Sequence, residues 1–378
     1  MVGRDIKRIL SRAVLGGALC LMVGNQAAQP SALMDSHISQ EQKSVEQEKP
    51  AEQVYKNIQV FAGLPASQLD GVMQYMSAAL GVGCTHCHIN PWEKDTRTAK
   101  LAARKMILMT RAINKENFSG NPAITCYTCH HGLSHTTPVL DFDILSRPEP
   151  ETISEKPAAL PTIDEVVDRY ARAIGGAVAI EKLASRVARG KLITTNRMTP
   201  PLTVALEVYQ QAPNKRLVIT RDSRGTSTEG FDGAIGWVSD SRGLRVTEGE
   251  VLAQQKRDAK LFKTINLRQS YPRMVVLSRE KVADREAVVV GATASDDSRE
   301  KLYFDVSTGL LIRKYVTFKT ALGVIPEVTE FDDYRDVSGL KLPFTITWSR
   351  APFTATQKFT EIKTNAPIDS TKFEKPAK

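Results

Sequence analysis

Residues 136–378 contain neither histidine nor cysteine: all six His lie between His37 and His135, and the last of the five Cys is Cys129. Transition-metal or thiol chemistry is therefore confined to the first third of the chain. Five Cys and 23 Gly in 378 residues exclude a disulfide-dense scaffold and a collagen-like repeat. Long hydrophobic runs are missing too. The longest, residues 13–24, is too short to span a bilayer. Hydrophobic residues at 42% and charged residues at 25% are ordinary soluble values, which excludes a mostly disordered chain and a multi-span membrane protein. The net charge of +9 comes from basic residues interspersed with acidic ones rather than clustered, a poor pattern for nucleic acid. The length suggests about two to three domains.

Arg4, Lys7, Arg8 and Arg12 precede the apolar run, and small residues follow at Ala27 and Ala28. This predicts a signal peptide over residues 1–28 and a destination in the periplasm. Cys20 falls inside the apolar run, and Leu19 before it is bulkier than a lipid-attachment signal prefers. Residues 29–50, rich in Gln, Glu, Ser and Lys, read as a disordered tether. From 51 to 135 the pattern is helical. Leu69, Val72, Met73, Met76 and Leu80 share one helix face, as do Ala102, Met106, Met109 and Ile113. Gly81 and Gly83 stop the first helix.

A Pro-rich linker occupies 136–161, with Pro138, Pro148, Pro150, Pro157 and Pro161. In 162–378 two short helices broken at Gly175-Gly176 come first. Alternating segments follow at 202–209, 216–220, 287–291, 301–306, 310–318, 343–349 and 356–362, with a helix expected over 249–268. The fold class expected is α+β multidomain, an all-α module followed by a mainly antiparallel sheet with helices.

Cys84-Thr-His-Cys-His88 and Cys126-Tyr-Thr-Cys-His130 are two copies of C-x-x-C-H, the c-type haem attachment signature. Two thiols three residues apart each form a thioether with one of the two haem vinyl groups, and the adjacent histidine lies under the iron. The spacing predicts two covalently attached haem c groups, held by Cys84, Cys87, Cys126 and Cys129, with His88 and His130 as proximal iron ligands. A four-cysteine zinc site would not need a histidine directly after each pair, and a thioredoxin-like redox pair wants a βαβ context. For the sixth ligand, a helix joined to the motif by a glycine turn would bring a methionine over the iron. Spacing alone does not choose between Met73 and Met76, or between Met106 and Met109, and core packing is the ordinary role of such residues.

The stretch from Val72-Met-Gln-Tyr-Met through the first motif, with Trp92, Ala103-Arg-Lys-Met-Ile-Leu-Met-Thr-Arg-Ala-Ile-Asn114 and Ile124-Thr-Cys-Tyr-Thr-Cys-His130, resembles the photosynthetic reaction centre cytochrome c subunit family over about residues 51–135. The resemblance implies an axial methionine from each helix, Met73 for the first haem and Met106 for the second. It also implies electron transfer to a reaction centre as partner. The family carries four haems and this chain has two motifs. The family's histidine shortly before the second motif is missing from Asn117-Phe-Ser-Gly-Asn-Pro-Ala123. Residues 162–378 more loosely resemble the lipoprotein-carrier half-barrel, a curved antiparallel sheet over helices, through Phe231-Asp-Gly-Ala-Ile-Gly-Trp237, Leu302-Tyr-Phe-Asp-Val-Ser-Thr-Gly309 and Leu342-Pro-Phe-Thr-Ile346. That likeness implies an apolar ligand or a docking platform, and the basic surface suits peripheral contact with anionic membrane.

The function expected is therefore a periplasmic dihaem electron carrier between a periplasmic or membrane-bound donor and acceptor, not an enzyme. Met/His ligation favours reduced iron and leaves no position for substrate. Two alternatives belong to other classes. A peroxidase-like dihaem enzyme would need an open iron face, with His131 or His135 as distal groups. A haem sensor fused to a lipid- or lipoprotein-binding domain would carry a bound apolar ligand.

Overall fold

The computed structural model describes residues 48–136, 159–196, 199–223, 225–294 and 297–377. The expected signal peptide with Cys20, nearly all of the tether and most of the Pro-rich linker lie outside these residues.

Residues 48–136 form helices α1 (Ala51–Val54), α2 (Gln68–Leu80), α3 (Cys84–Cys87), α4 (Thr98–Asn117) and α5 (Cys126–His130), with an isolated bridge between Pro50 and Pro65. α2 ends where expected. Gly81 closes it in the left-handed conformation at φ 64°, its N–H bonded to the Ser77 carbonyl. The apolar periodicity of α2 divides in two. Leu69, Val72, Tyr75 and Ala79 are buried against Phe61 and Ile107, whereas Met73 and Met76 are only partly buried on the flank of that cluster.

The rest of the chain is dominated by one antiparallel sheet. Its first half is β1 (Ser185–Asn196), β2 (Thr199–Gln211), β3 (Lys215–Asp222), β4 (Gly225–Phe231), β5 (Gly236–Asp240) and β6 (Gly243–Val246). Its second half is β7 (Arg273–Val282), β8 (Arg285–Thr293), β9 (Arg299–Asp305), β10 (Leu311–Thr320), β11 (Gly323–Val337), β12 (Leu340–Arg350) and β13 (Phe353–Thr364). Each half is a meander, and β1 pairs with β13 to join them, in the order β6-β5-β4-β3-β2-β1-β13-β12-β11-β10-β9-β8-β7. The curved sheet and its helices match the α+β class expected.

The helix Ile163–Ala173 starts at a capping box in which Thr162 and Glu165 exchange side-chain to backbone bonds. Its Val166, Val167 and Tyr170 bury against sheet residues Leu206, Val208, Leu302 and Phe331, together with Leu261, Ile265 and Tyr271 from the β6–β7 connection. The helix expected over 249–268 ends earlier, at Ala259. Turns over 261–265 follow, because Leu261, Ile265 and Leu267 dive into the core at a spacing one straight helix would not satisfy.

One hairpin reaches back to the helices. The turn between β10 and β11 places Leu322 and Ile325, 6% and 3% exposed, in the cluster of Phe61, Leu69, Val72 and Tyr75. The helix that carries Met73 thus shares its core with the tip of a strand pair about 250 residues downstream.

Candidate functional site

Two cavities flank α2 and α4. The first, of about 500 Å³, is lined by Met73 of α2, Cys84, Cys87 and His88 of the first motif, and Trp92 and Arg104. The second, of about 450 Å³, is lined by Met106 and Met109 of α4, Cys126, Cys129 and His130 of the second motif, and His86. Met76, Leu80, Cys87, Ala103 and Ile107 line both and form the wall between them. Each volume lies within the roughly 300–1,000 Å³ typical of cofactor pockets. Each cavity thus meets both thiols and the final histidine of one motif and at least one methionine, with Cys87 of the first motif reaching both.

The donor chemistry fits covalent haem. All four motif cysteines are unpaired thiols. Burial pushes the Cys87 thiol up from its ordinary pKa, with Cys84 adding to the effect, and burial does the same to Cys126. Among the described residues no three His, Cys, Asp or Glu side chains converge as an ion site, so the four cysteines do not form the zinc centre considered above. The histidines are the sharpest test. His88 Nδ1 lies 3.0 Å from the Trp92 carbonyl and His130 Nδ1 lies 2.9 Å from the Leu133 carbonyl. A carbonyl only accepts, so Nδ1 carries the proton in both rings. In the neutral ring that arrangement leaves the lone pair on Nε2, the form that ligates a metal.

The first orienting carbonyl is held in turn. Lys100, on α4 and only 9% exposed, donates from Nζ to the carbonyls of Trp92, Glu93 and Lys94 at 3.0 Å each. It pairs with Asp95 at 3.1 Å. Arg104 pairs with the same carboxylate at 2.7 Å, and Asn57 donates to it at 3.0 Å. Arg104, Asn57 and Lys100 together hold the Asp95 carboxyl well below the usual carboxylate range. In the second site the Gly132 N–H donates to the Ala79 carbonyl of α2 at 2.9 Å. Gly81 lies so close that a Cβ there would stand 2.0 Å from the Gly132 oxygen.

Sequence reasoning missed three of these roles. His86, which lies inside the first motif, lines the second cavity. Trp92 entered only as part of a resemblance, and Lys100 not at all. Lys100 lies on the face of α4 that also buries Ile107 and Thr110, away from the Ala102 and Met106 face read from the sequence. His131 packs edge-on against Tyr127 at 5.6 Å, and neither it nor His135 lines the second cavity.

A third cavity, about 620 Å³, lies between the outer side of α2 and the sheet, lined by Asp70, Gln74, Lys314, Glu300, Glu327 and Arg350 among others. Glu300 takes Lys263 at 2.7 Å, and Glu327 takes Arg350 at 2.6 Å. This is a polar, charged space, unlike the apolar ligand site expected of the sheet. Much of the sheet's apolar surface is filled by the chain's own Val166, Tyr170, Leu261 and Tyr271.

Paired thiols, a Nδ1-bonded histidine and a methionine lining the same cavity, met twice, have the features of c-type cytochrome sites. Residues 15–142 match the model of the photosynthetic reaction centre cytochrome C subunit family, which bears out over that stretch the resemblance read from the residues. The chain is 42% identical over 83 residues to cytochrome c-554 of Chloroflexus aurantiacus, covering 20% of each protein. It is 33% identical over 109 residues to the photosynthetic reaction center cytochrome c subunit of Roseobacter denitrificans, covering 26% of this chain and 29% of that one. The chain thus spans less than a third of the length of these curated relatives. A LolA superfamily protein from Nitrosomonas europaea is similar in structure at 13% identity and TM-score 0.41, over 57% of this chain and 98% of that one. A DUF1329 family protein from Desulfovibrio piger is similar at 11% identity and TM-score 0.44, with the same coverage.

Proposed function

We propose that this protein is a periplasmic dihaem c-type cytochrome that passes electrons between redox partners, a reaction centre among the candidate acceptors. The observation that carries the reading is the repetition of one donor set in two adjacent cavities. Cys84 and Cys87, and Cys126 and Cys129, would each hold one porphyrin through two thioethers. The Trp92 and Leu133 carbonyls orient the His88 and His130 rings, which would supply the iron ligands. Met73 and Met106 are the sixth ligands implied by the family. The names of the relatives, a cytochrome and a reaction center cytochrome subunit, support the electron-transfer role.

The haem, when bound, supplies one-electron iron chemistry. The chain's own part is to exclude water and hold geometry. Met76, Leu80, Ala103 and Ile107 form an apolar partition between the sites, and a low dielectric keeps reorganisation small. With a histidine and a methionine on each iron, no position would be left for substrate.

The test is an optical spectrum of the full chain matured in a host competent for c-type haem attachment, reduced and then exposed to carbon monoxide. We expect two haems per chain and no spectral change with the gas. A shift at one haem would reveal a displaceable ligand and favour the peroxidase-like alternative.

A further inference from the structure

We infer that Lys100 makes the first haem site the higher-potential one, by holding the carbonyl that orients His88. This inference rests on the dihaem reading above and adds a direction to it. The Trp92 carbonyl oxygen serves two donors at once, His88 Nδ1 at 3.0 Å and the Lys100 ammonium at 3.0 Å. At the second site the Leu133 carbonyl accepts from His130 Nδ1, and among the described residues no cation is bonded to it.

Two effects follow, and they share a sign. A carbonyl that accepts a bond from a proximal histidine pulls on the Nδ1 proton and makes Nε2 a stronger donor, which stabilises oxidised iron. An ammonium on the same oxygen withdraws electron density, weakens that pull and leaves His88 the poorer donor. A positive charge kept out of water also opposes the extra positive charge of oxidised iron more than it would at the surface. Asp95 offsets only part of this, because its single carboxylate is shared between Lys100 at 3.1 Å and Arg104 at 2.7 Å, two cations against one anion. Lys100 is therefore a positioning residue with an electrostatic effect. Its placement makes the first haem the one that retains an electron when only one is present, and so the one that releases it to an acceptor.

The experiment is a reductive titration of the full-length dihaem protein followed by visible absorbance. Wild type should reduce in two waves. In Lys100→Met one wave should move to more negative potential, changing the electron distribution between the haems about tenfold, about 59 mV for a one-electron couple. Lys100→Arg, which keeps the charge, should leave both waves near their wild-type positions. Lys100→Gln, which keeps hydrogen-bond donors but not the charge, should shift the same wave and covers the case in which Lys100→Met fails to fold. The double change Cys126→Ala and Cys129→Ala, leaving only the first attachment motif, should show one wave that moves when Lys100→Gln is added.

Two waves that stay in place, or that move equally, in a Lys100→Gln protein still holding two haems would reduce Lys100 to a structural lysine and overturn the inference alone. A wild-type chain that takes up no haem would overturn the dihaem reading and this inference with it.

Discussion

Gly81→Ala is expected to disable both haem sites although it adds one methyl group. Gly81 ends α2 at φ 64°, where an L side chain costs about 1–2 kcal/mol. The second cost is specific to this position. The new Cβ would lie 2.0 Å from the Gly132 oxygen, a contact between two backbones that no rotamer change relieves. Gly132 must move away, and with it go its bond to the Ala79 carbonyl and the neighbouring Leu133 carbonyl that orients His130. A change beside the first motif therefore disturbs the second. Gly120→Ala is the control, because Gly120 also has positive φ, +81°, yet nothing lies within 4 Å of its Cβ position. Denaturant unfolding should show the Gly120 variant losing only the conformational cost, and the Gly81 variant losing at least twice as much along with haem content. Equal losses in the two variants would mean that the approach of Gly132 to Gly81 is not tight in solution.

Leu322→Asp should separate the helices from the sheet energetically. Leu322 sits in the β10–β11 turn, 6% exposed, against Phe61, Leu69, Val72 and Tyr75. Truncation of such a leucine costs about 2–5 kcal/mol, and an unpaired buried carboxylate costs more. Val324→Asp on the same hairpin is the comparison: Val324 is 50% exposed, and its replacement should change stability by less than about 0.5 kcal/mol. Thermal unfolding followed by helical circular dichroism and by haem absorbance should show the helices of the Leu322 variant melting first. A single unchanged transition would mean that the hairpin contributes little to the position of α2.

Much of the site could be read from residue spacing. C-x-x-C-H names the atoms that would meet a porphyrin before any fold is known, and the 3-and-4 spacing of α2 marks a helix with Met73 and Met76 on it. The structure adds how that apolar face divides, with Val72 and Tyr75 in the core and Met73 and Met76 beside cavities. Periodicity cannot make that distinction, because apolar packing and apolar cavity walls use the same residues. On α4 the expected apolar face is the cavity side: Met106 and Met109 are 41% and 43% exposed, while Ile107 and Thr110 are buried.

In the sheet, strands rich in β-branched and aromatic residues were legible, as in β8 and β10. β1 was not, for Gly190 interrupts it at a bulge where a Cβ would meet the Lys358 oxygen at 2.0 Å. β11 was not either, because Glu327, Glu330, Asp332 and Asp333 conceal its inward residues. Glu327 is buried only because Arg350 reaches it across the sheet, a pairing with no signal in local sequence. The Lys100 clamp is local, reaching carbonyls six to eight residues away, but those loop carbonyls carry no side-chain identity.

The pairing of β1 with β13 also sets an order of assembly. Arg189 and Glu361, bonded across that seam, are 172 residues apart. The sheet therefore cannot close until nearly the whole chain has been made, and such distant pairing forms slowly. Both cysteine pairs and both helices beside them emerge long before, since chains are made from the N-terminus. There is thus an interval in which the thiols can be reached while Leu322 has not yet arrived. The hairpin then comes down on α2 as a late seal, closing that interval.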